Sequence, residues 1–195
     1  SDAVSVSAYI VRECCRIPSN FRSGGSLDDY LKQTGTVGIT GIDTRALTRV
    51  LREYGTMNGA ITDDPDKVLM DKLKNYRIVN PVAKVSTTSR RIIGNDGKFR
   101  IALLDFGVKE NILRSLVNRN CEVTLLPWNT SAEDILKLSP DGIFLTNGPG
   151  DPTDNVETIE TLKELIPYKI PTMGICLGHQ LLALANGFQT EKLKY

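Results

Sequence analysis

From about Lys98 onward, strand-like apolar runs alternate with amphipathic helical stretches, and few folds accommodate that alternation. Ile101-Ala-Leu-Leu-Asp-Phe106 is an almost unbroken apolar run, the pattern of a strand covered on both faces. Asn111 to Arg119 is predicted as a helix, with Ile112, Leu113, Leu116 and Val117 on one side. Glu122–Leu126 reads as the next strand, Ala132–Leu138 as a short helix and Gly142–Thr146 as a third strand. Val156–Ile166 is helical, and Lys169–Met173 is a fourth strand. Repeated β-α-β units predict a parallel sheet with right-handed crossovers and helices on both faces, a doubly wound α/β fold. In such sheets ligands bind beyond the carboxyl ends of the strands. Two glycine-rich turns fall at those ends: Asn147-Gly-Pro-Gly-Asp-Pro152 and Gly174-Ile-Cys-Leu-Gly-His-Gln180.

The second turn carries the chemistry. Cys176 sits between a strand and a predicted helix, Gln180–Ala185 closed by Asn186-Gly187, with glycines two residues before and two after. That spacing is the thiol form of the nucleophile elbow, where a tight turn leaves no room for flanking side chains. The geometry lifts the sulfur out at the end of the sheet and sets it over a helix N-terminus, an environment that suits a thiolate nucleophile. A cysteine between Ile175 and Leu177 is also, in ordinary proteins, a small buried hydrophobe; the neighbouring glycine turn favours the elbow. Backbone N–H groups from Gly148 or Gly150 and from Leu177 would then be free to hold a developing oxyanion, the requirement of acyl transfer. The only histidine, His179, lies one turn along the same helix, a poor position for a base that must reach the sulfur. It is read as a packing or hydrogen-bonding residue, and the chain as an incomplete catalyst.

Composition narrows the remaining classes. A chain of 195 residues with 41% hydrophobic and 24% charged residues is ordinary globular material for one large or two small domains. A formal charge of +1 offers no electrostatic case for nucleic acid or an anionic membrane. No apolar run approaches the ~18 residues of a membrane span, and no signal-peptide layout opens the chain. Cys14, Cys15, Cys121 and Cys176 show neither metal-ligand spacing nor a disulfide framework, so a reducing cytoplasm is expected. The sequence starts without Met, in an alternating strand pattern over Val4–Val11, and stops in what looks like the start of a strand at Phe188–Tyr195. Both ends are therefore expected to be cut.

The region before Val85 is less regular. Leu27–Lys32 is a predicted helix with Ser26 as N-cap, and Asp43–Tyr54 a second, capped by Asp43 or Thr44 and ended by Gly55. Its predicted buried face is Ala46, Leu47, Val50 and Leu51, leaving Arg45, Arg49 and Arg52 on a solvated face or against a partner. Ala60–Thr62 is expected as a strand, and a helix is expected from Asp64-Pro65 to about Asn75. The expected domains are 1–88 and 99–195, joined by a linker over 89–98 with the turn Gly94-Asn-Asp-Gly97. Asp105 and Lys109 read as turn and cap residues.

The pair Asn147–Pro152 and Gly174–Gln180, in that order and separation, resembles the class I glutamine amidotransferases with a Cys-His-Glu site. The resemblance implies that Cys176 attacks the side-chain amide of L-glutamine, forming a glutamyl thioester and releasing ammonia. It further implies that Leu177 and Gly148 supply oxyanion N–H groups and that Gly150 and Gln180 help hold the glutamine. The family takes its His and Glu from a P-x-H-x-E-like stretch downstream of the elbow, beyond residue 195. Gly41–Gly55 with Asn58-Gly59, and Asp105–Ile112, resemble the small, glutamine-hydrolysing subunits of carbamoyl-phosphate synthetases. Anthranilate, GMP and CTP synthases share the elbow but differ in residues 1–90. The resemblance implies ammonia supply for carbamoyl phosphate synthesis in the arginine and pyrimidine pathways, with a synthetase large subunit or fused synthetase domain as partner. It places ATP and Mg on that partner, since no G-x-x-x-x-G-K-S/T loop and no metal-ligand cluster occurs here. The alternatives are another thiol hydrolase on the same sheet, and a non-catalytic glutaminase-like docking or regulatory module.

Overall fold

The computed structural model describes residues 4, 6–191 and 193. The chain divides into two compact units, one running up to Asn75 and the other from Tyr76 to Lys192.

In the first unit, strand β1 (Ala8–Ile10) pairs in parallel with β2 (Val37–Ile39), joined by helix α1 (Leu27–Thr34). Ser26 caps α1 by accepting the Asp29 N–H at 3.1 Å, and Gly35, left-handed at φ 65°, ends it. The expected strand Val4–Val11 is cut to three residues because β2, its partner, is only three residues long. Helix α2 (Thr44–Tyr54) is capped by Asp43, whose Oδ1 accepts from the N–H groups of Arg45 and Ala46, and it stops at Gly55. Its apolar stripe is not buried: Leu47, Val50 and Leu51 each remain about two-fifths exposed. The reason is general to this unit, in which no described residue is buried and no layer covers the stripe. The expected strand Ala60–Thr62 is irregular. The helix expected from Pro65 breaks into a 3₁₀ turn, Pro65–Lys67, and α3 (Met70–Lys74), because Val68 and Leu69 are extended between them.

The second unit holds the hydrophobic core. It opens with α4 (Pro81–Val85), followed by β3 (Arg91–Ile93), β4 (Phe99–Asp105), α5 (Glu110–Val117), β5 (Cys121–Pro127) and α6 (Ala132–Lys137). There follow β6 (Gly142–Leu145), α7 (Val156–Leu165), β7 (Thr172–Gly174) and α8 (Leu177–Ala185). The sheet order is β3-β5-β4-β6-β7, parallel throughout except for β3, which runs antiparallel to β5. The expected doubly wound α/β architecture is present, with one antiparallel edge added. That edge lies in the stretch expected as a linker: Arg91-Ile-Ile93 is β-prone, and left-handed Gly94 turns the chain back towards β4. The terminal strand expected from Phe188 is absent over 188–191, and its remaining residues fall largely outside the described ones.

Strand alternation divides the core. Ala102, Leu104, Leu126, Ile143 and Leu145 face the side covered by α4, α6, α7 and α8, which contribute Val82, Ile135, Leu162 and Leu181. Leu103, Val123, Leu125 and Phe144 face the opposite side, where α5 supplies Leu113. Burying a side chain of this size contributes about 1.5–3 kcal/mol, so the two clusters supply most of this unit's cohesion. The chain leaves β4 by α5 on one face and β6 by α7 on the other. These adjacent strands therefore form a topological switch point, where a crevice opens at their carboxyl ends.

Candidate active site

Three turns meet at that end of the sheet: Phe106–Lys109 after β4, Thr146–Pro152 after β6, and Ile175-Cys176 after β7. At the last of these, Cys176 has φ 51° and ψ −111°, a conformation that costs an L-residue about 1–3 kcal/mol. The turn is held by hydrogen bonds on both sides of the cysteine. Ile175 donates to the Leu145 carbonyl at 2.9 Å, Gly178 donates to the Thr146 carbonyl at 3.0 Å, and Gln180 donates to the Cys176 carbonyl at 3.1 Å. Close packing explains the flanking glycines. A Cβ at Gly174 would strike the backbone of Gly178 and His179, and one at Gly178 would strike the carbonyl of Leu145. The Cys176 side chain is exposed, not a buried hydrophobe. Helix α8 starts at Leu177 rather than at Gln180, so the sulfur stands at its N-cap.

Strain at a position whose side chain makes no core contact gives a direct stability prediction. In the complete gene product, Cys176→Gly should be more stable than Cys176→Ala by about 1 kcal/mol, because glycine adopts φ 51° freely. Denaturant midpoints of the two variants check this, since both lack the sulfur and differ only in the Cβ.

The structure brings Gly148 and Leu177 together. A Cβ on Gly148 would stand 2.7 Å from the Leu177 Cδ2 and would collide with Phe106. Neither the Gly148 nor the Leu177 backbone N–H has an acceptor among the described residues, so both remain available to a ligand. Gly150, with φ 94°, instead backs onto Pro81 of α4. Gln180 and His179 are both exposed on the first turn of α8.

A polar frame lies beneath these residues, and of its members the sequence marks only Asp105, as a turn residue. Thr146, fully buried, accepts the Phe106 N–H at 2.8 Å through Oγ1 and donates to the Asn147 carbonyl at 3.0 Å. Asn147 Nδ2 donates to the Gly107 carbonyl at 2.8 Å. Asp105, 4% exposed, accepts the N–H groups of Gly107 and Val108 through one carboxylate oxygen and that of Thr87 through the other. It is thus a turn residue, and Lys109 is the N-cap position of α5. An aspartate interrupting an apolar strand run was the one available signal of this frame.

The displaced titrations lie on exposed helix surfaces. Lys32 is raised by its hydrogen bond to Asp28, Asp134 is lowered by hydrogen bonds from Ser131 and Lys137, and Lys137 is raised by Glu133 and Asp134. Among the described residues, no group of three or more His, Cys, Asp or Glu could hold a metal ion, and no helix is long and apolar enough to cross a membrane.

A parallel sheet with a strained, exposed cysteine beyond its carboxyl edge belongs to the class of α/β folds that carry a thiol nucleophile elbow. Residues 102–195 match the model of the class-I glutamine amidotransferases, and residues 1–61 match that of the carbamoyl-phosphate synthase small chain, CPSase domain. The carbamoyl phosphate synthase small chain of Bacillus cereus is 51% identical over 193 residues, 98% of this chain and 52% of the relative. That of Clostridium perfringens is 46% identical, covering 97% of this chain and 54% of its own. That of Lactococcus lactis subsp. cremoris is 47% identical, covering 96% and 53%. The chain belongs to the carbamoyl phosphate synthase small-chain family, with a class I glutamine amidotransferase region at its carboxyl side. It spans about half the length of the curated relatives it matches.

Proposed function

We propose that this chain carries the nucleophile of a glutaminase that supplies ammonia for carbamoyl phosphate synthesis. The observation that carries the reading is the Cys176 elbow, exposed and strained, with the unbonded N–H groups of Leu177 and Gly148 beside it. The thiolate of Cys176 attacks the side-chain amide carbon of glutamine, and a C–S bond forms while the carbonyl π-pair moves to oxygen. Leu177 and Gly148 N–H groups receive that oxyanion, which they hold without reorganisation. The C–N bond then breaks, and nitrogen takes a proton and departs as ammonia, leaving a thioester. Water cleaves the thioester to glutamate and restores the thiol. Gly150 and Gln180 contact the glutamine. The proton relay comes from the His and Glu that the family carries downstream of the elbow.

In this reading a small-chain domain over residues 1–88 precedes an amidotransferase domain over 99–195, while the compact units of the fold part at Asn75 and Tyr76, and the protein works in the cytoplasm. A synthetase large subunit or fused synthetase domain receives the ammonia and binds ATP and Mg, and this chain itself needs no cofactor. Support comes from the match to the carbamoyl-phosphate synthase small chain, CPSase domain, over residues 1–61 and to the class-I glutamine amidotransferases over residues 102–195.

A glutamine analogue with an electrophilic carbon in place of the amide tests the reading in the complete gene product. It should label Cys176 at one equivalent, with excess glutamine slowing the labelling and Cys14, Cys15 and Cys121 left unmodified. Labelling spread over the exposed thiols, indifferent to glutamine, would leave the docking or regulatory module as the better account.

A further inference from the structure

Resting on the glutaminase reading, we infer that Asn147 is a positioning residue, which sets the Gly148 N–H by clamping the turn after β6 onto the turn after β4. Asn147 stands directly before Gly148, and its Nδ2 donates to the Gly107 carbonyl at 2.8 Å. The same glycine, at φ 128°, is gripped from its other side by the buried Asp105, which accepts its N–H at 2.9 Å. One residue earlier, the Phe106 N–H donates to Thr146 Oγ1, which in turn donates to the Asn147 carbonyl. The peptide groups of Phe106 and Gly107 therefore form a template on which Thr146 and Asn147 are laid. Gly148 must follow that template closely, because a Cβ there would meet the Phe106 carbonyl.

The other end of the Asn147 amide shows what the residue is kept for. Its Oδ1 is buried and has no hydrogen-bond partner among the described residues. An orphaned buried acceptor is rare and costs about 1–3 kcal/mol. An apolar residue would remove that cost but leave the Gly107 carbonyl unpaired. An aspartate would set carboxylate oxygens against that carbonyl. Only the amide, with a donor of this reach, closes the clamp.

The consequence is kinetic. Gly148 N–H meets the carbonyl oxygen most strongly once it has become an oxyanion, so loss of its position should weaken the transition state more than the bound substrate. In the complete gene product with its synthetase partner, Asn147→Ala should lower kcat for glutamine hydrolysis roughly 10- to 100-fold, counted per titratable Cys176 thiol. KM should stay within about threefold, and ammonia-dependent synthesis should be unchanged. The rate at which iodoacetamide alkylates Cys176 should also be unchanged, because the turn that carries the sulfur is held by the Leu145 and Thr146 carbonyls and not by the Asn147 side chain. Asn147→Leu, which keeps the branched shape and removes the Nδ2 donor without adding a charge, gives the same readout if the alanine variant does not fold. A kcat per thiol equal to wild type in the variant that folds, or a rise in KM that accounts for the whole loss, overturns the clamp. Cys176→Ser run in parallel separates the two claims: if it still hydrolyses glutamine, the glutaminase reading fails whatever Asn147 does.

Discussion

Cys176→Ser in the complete gene product, assembled with the synthetase, is expected to abolish glutamine-dependent carbamoyl phosphate synthesis and leave ammonia-dependent synthesis intact. Serine fills the same space on the same strained turn, so the elbow, the Leu177 and Gly148 donors and the packing of α8 all survive. What is lost is the sulfur's readiness to act as a thiolate: a hydroxyl at this position remains protonated and is a far weaker nucleophile. Removing a covalent nucleophile typically costs about 10³-fold or more in kcat, enough to separate the routes cleanly. The ammonia route bypasses Cys176 and serves as the internal control for folding and assembly. Glutamine-dependent synthesis that persisted at wild-type rate would refute the thioester mechanism.

Gly178→Ala is expected to have the largest effect on stability, and it acts where no substrate is touched. Gly178 is the second residue of α8, buried, and its missing side chain is the space in which the Leu145 carbonyl of β6 lies. Strand β6 is hydrogen-bonded on one side to β4 and on the other to β7, so it cannot retreat. The helix must move instead, and with it goes the Gly178 N–H to Thr146 carbonyl bond at 3.0 Å. Overpacking against backbone costs about 1–3 kcal/mol and the bond about 1 kcal/mol more, so a loss of roughly 3 kcal/mol is expected. Helix displacement also carries the Leu177 N–H away from its station, and a shift near 1 Å can cost about 10²-fold in rate. Denaturant midpoints and glutamine turnover of the same preparation read both effects. An unchanged midpoint would contradict the close approach of α8 to β6.

Comparison of α2 with β4 shows which kinds of sequence pattern could be read. Both were placed correctly as elements, because the period of their apolar residues depends only on local backbone geometry. The burial that the apolar pattern predicts is found for β4 and not for α2. Leu103 and Leu104 are covered on their two faces by α5 and by the α4, α6, α7 and α8 layer, whereas Leu47, Val50 and Leu51 find no covering layer in their unit. An amphipathic stripe states that a face should be covered and says nothing of what covers it. Ala60–Thr62 failed in a related way: β-branched residues favour a strand only where another strand offers its edge. Arg91–Ile93 shows the converse, since a three-residue segment becomes a strand because β5 presents one.

At the site, the glycines around Cys176 were informative because they report a backbone too crowded for side chains, a local demand that leaves a local mark. The frame of Asp105, Thr146 and Asn147 left almost none. Three of its bonds are long-range, joining Phe106 to Thr146 and Asn147 to Gly107 across 40 positions and Thr87 to Asp105 across 18. The alternating elements from β4 onward, the thiol elbow and the parallel topology are thus already decided in the order of residues, through period, turn chemistry and the handedness of β-α-β crossovers. The pairing of Gly148 with Leu177, the antiparallel edge and the clamp at Gly107 were decided only when β4, β6 and β7 came side by side, because hydrogen bonds between distant residues exist only after the sheet has set their spacing.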